Sequence, residues 1–133
     1  MSYSICLLRF VDGELADLDA VRLRRMTEPY RWEGSSDEAF SRLRAEDGGG
    51  ADLDHASDDG GAMRCVTATH FSGGAMSGVL VRLAAALGAS IVTDGAVLIF
   101  HEDERRHLPA DWSERAILIA PEADAFESAI ASL

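Results

Sequence analysis

The segment from residue 70 to residue 103 constrains the fold most, because helix-start, repeat, helix-stop and turn signals agree there. Ser72 is predicted to cap a helix over residues 75–87, and Gly88 suits the left-handed residue after a last helical turn. Most other positions of this helix are also apolar. Large apolar side chains recur at helical spacing: Met76, Leu80, Leu83 and Leu87. The helix is therefore predicted to be covered on several sides, or to offer an apolar face for a homodimer.

A turn at Asp94 and Gly95 is predicted to join two strands after this helix. Aspartate followed by glycine is the strongest short hairpin signal, because both turn positions need positive φ angles. The paired strands are predicted over residues 90–93 and 96–101. Residues 97–100 are apolar on both alternating faces, which is typical of a strand in the middle of a sheet.

The rest of the sequence predicts more strands and two more helices. Residues 15–26 carry acidic side chains early and arginines late, which favours a helix, and Pro121 is predicted to open a closing helix. Tyr30 and Trp32 are expected to cover an edge of the core from a loop over residues 30–37. The further strands are predicted over residues 3–11, 41–46, 51–56, 62–71 and 116–120.

Together these elements predict an α+β fold in a single domain that spans residues 1–133. The expected architecture is a sandwich in which a mostly antiparallel sheet of about five to seven strands is packed by three helices. A chain of 133 residues is long enough to bury a core without disulfides or metals.

The charge balance narrows the classes of partner. The formal net charge is −11 at pH 7, so the average surface repels nucleic acid and anionic membranes. The chain contains no lysine, asparagine or glutamine. Lysine Schiff-base chemistry, a phosphate-binding Gly-Lys-Ser loop and catalysis by an amide side chain are thereby excluded. We therefore expect no nucleic-acid and no membrane partner.

The two cysteines and the apolar runs indicate the compartment. Cys6 and Cys65 have apolar neighbours within predicted strands, which favours buried, reduced thiols over a disulfide framework. The N-terminal residues lack the basic and long apolar regions of a signal peptide. Arg82 interrupts the longest apolar run before it reaches the length of a membrane span. A cytoplasmic protein is expected.

Four short motifs resemble those of a group of small bacterial proteins. In chain order they are Asp-Gly-Glu after the first strand, Asp-Gly-Gly, His-Phe-Ser-Gly-Gly before the apolar helix, and His-Leu-Pro before the final strand and helix. The pattern extends over nearly the whole chain. The resemblance implies an α+β fold and no particular reaction.

Neither a metal nor a cofactor is predicted. An EF-hand calcium loop counted from Asp52 has Ala56, Ser57 and Met63 where a carboxylate or amide, a glycine and a glutamate are required. The four histidines lack the i, i+4 spacing of zinc ligands on a helix, and the two cysteines form no Cys-x-x-Cys motif. The acidic stretch around Asp52 is therefore interpreted as a solvated, turn-rich surface.

The junction before the predicted helix is a candidate site for a small anion. Ser72, Gly73 and Gly74, with His70 beside them, place backbone N–H groups at a helix N-terminus, where an anion can bind. The alternative is a helix cap with glycines that permit close packing. The glycine spacing matches no phosphate loop, and no Gly-x-Ser-x-Gly motif supports Ser72 as a nucleophile. No catalytic residue is therefore predicted.

Two classes of function remain, and the sequence favours a binding protein over an enzyme. The first is an acidic protein-binding module, of the inhibitor or immunity type, that covers a basic partner such as a nuclease toxin. Its predicted contact comprises Asp47, Asp52, Asp54, Asp58 and Asp59. The second is a small enzyme or a small-ligand-binding domain that uses the junction at Ser72, Gly73 and Gly74. The first hypothesis loses its main physical support if Asp52, Asp54, Asp58 and Asp59 do not share one face.

Overall fold

The computed structural model describes residues 4–32 and 39–132, which form one sheet with helices on both faces. The strands are β1 (Ile5–Val11), β2 (Glu14–Ala16), β3 (Phe40–Arg44), β4 (Gly50–Asp54), β5 (Val66–Thr69), β6 (Ser90–Val92), β7 (Val97–Ile99) and β8 (Ala116–Leu118). The α-helices are α1 (Ala20–Thr27), α2 (Ala75–Ala86), α3 (Ala110–Ser113) and α4 (Ala123–Ala131). Two 3₁₀ helices cover Glu28–Tyr30 and Glu102–His107.

The strand order places β1 in the middle of the sheet. The order is β3-β4-β5-β1-β6-β7-β8, and β2 pairs with β1 outside this path. Every pairing is antiparallel except the one between β7 and β8. The predicted α+β class with a mostly antiparallel sheet is thus confirmed. The described chain has eight strands rather than five to seven, because β2 lies where a helix was expected.

The larger core lies between one face of the sheet and the helices α1, α2 and α4. Alternation along β1 directs Ile5 and Leu7 into it, and their side chains are 1% and 0% exposed. From α2 come Met76, Leu80 and Leu83, which confirms the predicted helical repeat. Because α1, α4 and the sheet cover α2, its apolar side chains form no open face. The predicted homodimer therefore loses its argument, which was an uncovered apolar face on this helix, and it remains only a prediction.

A smaller apolar cluster lies on the opposite face of the sheet, under the 3₁₀ helix Glu102–His107 and α3. Leu98 enters the larger core, whereas its neighbours Val97 and Ile99 enter this second cluster. The strand predicted to be apolar on both faces is therefore buried on both faces. The other members and neighbours of the cluster are Leu108, Ala116, Phe10, Val92 and Trp112.

The remainder of this opposite face is not covered by the second cluster, and we call it the open sheet face. It is formed by alternate residues of β3, β4 and β5 and by the first half of β1. Its side chains are polar or only half-buried: Arg42, Asp52, Asp54, Thr67, Thr69 and Cys6.

The first helix begins later than the sequence predicts. Residues 15–26 were expected to be helical, but Glu14–Ala16 pairs with β1 as β2 and α1 begins at Ala20. Asp12 and Gly13 both have positive φ and make the tight turn of this hairpin. The Asp19 side chain then caps α1 by accepting a hydrogen bond from the Arg22 N–H at 3.0 Å. The hairpin turn and this cap outweigh the helical charge pattern.

The predicted cap of α2 is wrong. The helix begins at Ala75, and Gly74 occupies the N-cap position with φ +72°. Ser72 lies two residues before that position, and its hydroxyl accepts a hydrogen bond from the Gly50 N–H at 3.3 Å. Ser72 therefore ties the start of β4 to the junction instead of capping the helix.

Two other boundaries differ from prediction. The strand expected over residues 62–71 is confined to Val66–Thr69, and His70 follows it with φ +51°. The expected loop over residues 30–37 extends beyond the described residues. Within them, the Trp32 N–H donates to the Arg42 carbonyl at 2.8 Å, which extends the sheet edge beside β3. None of the described helices is both long and apolar enough to cross a membrane.

Candidate functional site

The structure distributes the five aspartates of the predicted contact over three places. Asp47 lies at the N-terminus of α2. Asp52 and Asp54 lie on the open sheet face, while Asp58 and Asp59 belong to the loop between β4 and β5. The fold therefore does not bring these carboxylates together on a single face.

Asp52 is paired with two basic side chains on the open sheet face. Its carboxylate lies 3.1 Å from Arg42 Nε and 3.2 Å from His70 Nδ1. The His70 side chain is 66% exposed. Exposed pairs of this kind add little stability, but Arg42 compensates much of the charge of Asp52.

Asp54 and Asp58 hold turns. Asp54 accepts a hydrogen bond from the Ala56 N–H at 3.3 Å. Asp58 accepts hydrogen bonds from two backbone N–H groups further along its loop and lies 3.3 Å from Arg64 Nε. Asp59 makes no hydrogen bond or ion pair with the described residues. The acidic composition of this loop is thus explained largely by turn formation.

Two carboxylates from distant parts of the chain occupy the N-terminus of α2. Glu127 Oε1 accepts from the Gly74 N–H at 2.6 Å, and Asp47 Oδ2 accepts from the Ala75 N–H at 3.1 Å. Asp47 Oδ1 also accepts from the Gly49 N–H at 2.9 Å. The Gly49 and Ala75 N–H groups stabilise the charged carboxylate and so lower the pKa of Asp47.

Gly73 and Gly74 make room for these two carboxylates. A Cβ on Gly73 would lie 2.9 Å from Glu127 Oε1, and one on Gly74 would lie 2.9 Å from Asp47 Oδ2. The N–H groups that were predicted to hold a small anion are therefore engaged within the chain, and an external anion would have to displace a carboxylate. His70 and Ser72, the other members of the predicted site, contact Asp52 and Gly50 instead.

A cleft of about 370 Å³ opens beside this helix N-terminus. Glu46 and Asp124 line it from the β3–β4 turn and from the first turn of α4, and Arg82 lines it from α2. Among the described residues, neither Glu46 nor Asp124 has a hydrogen-bond or ion-pair partner. We call this cleft the acidic cleft, and we count with its lining carboxylates Glu46 and Asp124 the two that bind the N–H groups of the lining residues Gly74 and Ala75, namely Glu127 and Asp47.

Sequence reasoning placed only one of these four carboxylates, Asp47, in a site. Asp124 carries the ordinary signal of an acidic residue in the first turn of a helix, and Glu127 carries no signal. A Cβ on Gly78 would lie 2.9 Å from a guanidinium nitrogen of Arg82. The glycine thus lets Arg82 lie flat against α2 at the wall of the cleft.

A second cleft, of about 340 Å³, lies between β1, β6 and the 3₁₀ helix Glu102–His107, and we call it the arginine cleft. Arg9 lines it half-buried and has no carboxylate within ion-pair distance among the described residues. Ser90, which is 4% exposed and pairs with Leu8 in the sheet, also lines it, and its hydroxyl makes no hydrogen bond with the described residues. Its other lining residues include Phe10, Leu108, His101, Asp103 and His107.

The four histidines do not converge. His101 and His107 both line the arginine cleft, while His70 pairs with Asp52 on the open sheet face. His55 is 7% exposed, and its Nε2 lies 2.8 Å from the hydroxyl of Ser41, which is 1% exposed. Because both residues are buried, a substrate cannot reach them, and we interpret the contact as a structural hydrogen bond. Within residues 4–32 and 39–132, no three potential ligands are grouped to hold a metal ion.

The fold defines a class, an α+β protein with one mixed sheet, and the acidic cleft and the arginine cleft lie in separate parts of it. Comparisons with known proteins find no matching family model, no matching curated protein and no matching solved structure. The resemblance to small bacterial proteins remains a prediction.

Proposed function

We propose that this chain is an acidic protein-binding module of the inhibitor or immunity type, acting in the cytoplasm on a basic protein partner. The observation that carries the proposal is the acidic cleft: Glu46 and Asp124 line it, Asp47 and Glu127 bind the N–H groups of Ala75 and Gly74 on its wall, and Arg82 is the one basic residue among its lining residues. The structure thus favours this cleft as the contact over the predicted segment with Asp52, Asp54, Asp58 and Asp59.

The geometry of the acidic cleft suits the side chain of an incoming arginine. Asp47 and Glu127 already accept backbone hydrogen bonds, whereas Glu46 and Asp124 are exposed and have no partner among the described residues. A planar guanidinium binds carboxylates through paired hydrogen bonds. The net charge of −11 adds long-range attraction that steers a basic partner toward the chain.

Neutralising the free carboxylates of the acidic cleft is expected to weaken partner binding. We expect the double variant Glu46→Gln with Asp124→Asn to slow association with a basic partner by about tenfold, the lower end of the range for electrostatic steering. The partner would be captured from a lysate of the source cell at low salt and identified by mass spectrometry. Association and dissociation rates would then be measured at two salt concentrations with the purified pair.

The matched control removes two negative charges from the predicted contact segment instead of from the acidic cleft. Asp54→Asn with Asp59→Asn leaves the net charge equal to that of the cleft variant, so it separates local contact from overall charge. We expect the control to keep most of the wild-type affinity. Equal losses in both variants would reduce the proposal to non-specific attraction, and a larger loss in the control would move the contact to the open sheet face and its neighbouring loop.

A second candidate is a small-ligand-binding domain at the arginine cleft. It is favoured by the hydroxyl of Ser90, which makes no hydrogen bond with the described residues, and by the guanidinium of Arg9, which donates to the Asp17 carbonyl at 3.3 Å but has no carboxylate partner among them. Asp103 and Glu104 also line this cleft, so a small organic carboxylate would bind on the side of Arg9, Ser90 and the apolar wall at Phe10.

Binding to the arginine cleft would be tested with a panel of small carboxylates and inorganic phosphate. A ligand should raise the melting temperature in a saturable way, because it binds the folded state only. We expect Arg9→Met to need at least a tenfold higher ligand concentration for the same rise in melting temperature, since a charged hydrogen bond contributes roughly 1.5–3 kcal/mol. Arg106→Met, outside the cleft, should leave it unchanged. A shift that survives in Arg9→Met would exclude this site.

A further inference from the structure

Cys6 and Cys65 form a thiol pair that spans two neighbouring strands. Cys6 lies in β1 directly opposite Thr67 of β5, and Cys65 immediately precedes β5. Because residues two apart on a strand share a face, Cys65 and Thr67 both face the open side with Cys6. The two cysteines are therefore diagonal neighbours on the open sheet face.

Both sulfur atoms contact the same hydroxyl group. Cys6 Sγ lies 3.8 Å and Cys65 Sγ 3.6 Å from Thr67 Oγ1. The sequence predicts buried, reduced thiols, whereas both side chains are free thiols that are only half-buried. Burial, together with the nearby Cys6 and Asp54, raises the pKa of the Cys65 thiol. Small reagents can thus reach a pair whose sulfurs already influence each other.

We propose that Cys6 and Cys65 are a reversible redox site, oxidised to an intramolecular disulfide by a low-molecular-weight disulfide such as oxidised glutathione. The Cys6 thiolate attacks one sulfur of the reagent, and one small thiol leaves. Cys65 then gives its proton to solvent and attacks the Cys6 sulfur, which releases the second small thiol. In total, the two protein thiols lose two electrons and two protons. The small disulfide takes up these electrons and protons and becomes two small thiols.

The strand geometry indicates how this bond would form. Diagonal neighbours in a sheet have α-carbons roughly 7–8 Å apart, slightly beyond the usual disulfide range. Cys65 lies just before β5, so it can move toward β1 without breaking the paired residues between Ile5 and Leu7 and their partners. A bond formed in this way is strained, and strained disulfides are more easily reduced. Ready reversal is therefore expected.

The test treats the folded full chain with oxidised glutathione and follows free thiols and intact mass. We expect the wild type to lose both thiols and the mass of two hydrogen atoms, with no adduct retained. Cys65→Ser should keep one glutathione adduct on Cys6, because the resolving thiol is missing. Cys6→Ser lacks the attacking thiol, so it should react more slowly and keep any adduct on Cys65. Wild-type protein that accumulates one or two adducts without closing the disulfide would overturn the proposal.

A second measurement tests whether the fold itself brings the two thiols together, by comparing the rate of disulfide closure in the folded and the unfolded protein. We expect the disulfide to close at least about tenfold faster in the folded protein than in urea, because folding raises the effective concentration of one thiol near the other. Equal or slower closure in the folded protein would also overturn the proposal. Addition of reduced glutathione should restore both thiols.

Discussion

Replacing Phe126 with alanine is expected to destabilise the protein by about 3–5 kcal/mol, the cost of truncating a buried aromatic side chain. Phe126 is 1% exposed and is the one fully buried side chain of α4. Its ring lies against Phe71, with centroids 6.1 Å apart, and α4 packs on α2. Urea unfolding followed by circular dichroism would measure the loss from the shift in midpoint at constant slope.

The control for this variant is Ile117→Ala, because Ile117 lies in β8 with 41% of its surface exposed. Its substitution is expected to change stability by no more than about 0.5 kcal/mol. A loss below about 1 kcal/mol for Phe126→Ala would contradict the burial that docks α4. Since Asp124 approaches the acidic cleft from α4, the same variant should also weaken binding of a basic partner.

Replacing Gly74 with alanine should cost about 2–3 kcal/mol, although the change adds only a methyl group. Gly74 has φ +72° and ψ −129°, a conformation that residues with a Cβ avoid at a cost of roughly 1–3 kcal/mol. The added Cβ would also lie 2.9 Å from Asp47 Oδ2, which accepts the Ala75 N–H at the start of α2. Thermal and urea unfolding would both report the loss.

Gly60→Ala provides the matched comparison. Gly60 has no positive φ, and its nearest contact for a Cβ is Asp58 Oδ1 at 3.4 Å. We expect a change within about 0.5 kcal/mol, as for most surface substitutions. If both glycine variants lost the same stability, neither the strained conformation of Gly74 nor its contact with Asp47 would explain the result.

Local sequence signals predicted the elements whose stability is local. The helical repeat of Met76, Leu80 and Leu83 identified α2, and the Asp-Gly pair at residues 94–95 identified the hairpin of β6 and β7. The expected positive φ angles at Asp94 and Gly95 are wrong, because the Thr93 hydroxyl holds this turn by accepting from the Ala96 N–H at 3.2 Å. These features depend on residues a few positions apart, so a single sequence contains them. The fold class follows from the same kind of information.

The boundaries that failed depend on contacts made at a distance. A helix was expected to begin at Leu15, but pairing with β1 and the positive φ of Asp12 and Gly13 make Glu14–Ala16 a strand. Ser72 has the chemistry of a helix cap, yet the carboxylates of Asp47 and Glu127 reach the first free N–H groups of α2. Intrinsic preference is a weak guide where tertiary contacts provide an alternative.

The sequence predicted the candidate site less well than it predicted the helices and strands. Asp47 was identified as part of an acidic run, but its neighbours Asp54 and Asp58 in that run serve turns elsewhere. Asp124 and Glu127 join Asp47 only because α4 docks on α2 through Phe126. Proximity in the sequence therefore does not identify the acidic surface, which the packing of two helices creates.

The central position of β1 imposes an order on folding. Its partners β5 and β6 both follow it at long sequence separation, since Ile5 pairs with Ala68 and Leu8 pairs with Ser90. During synthesis β1 leaves the ribosome before β5 and β6, so its first half, which β2 does not pair, must wait until both partners emerge. The local hairpins β3–β4 and β6–β7 can form earlier, because closing short loops costs less entropy. The insertion of β1 between the two halves thus becomes the slow event that completes the sheet.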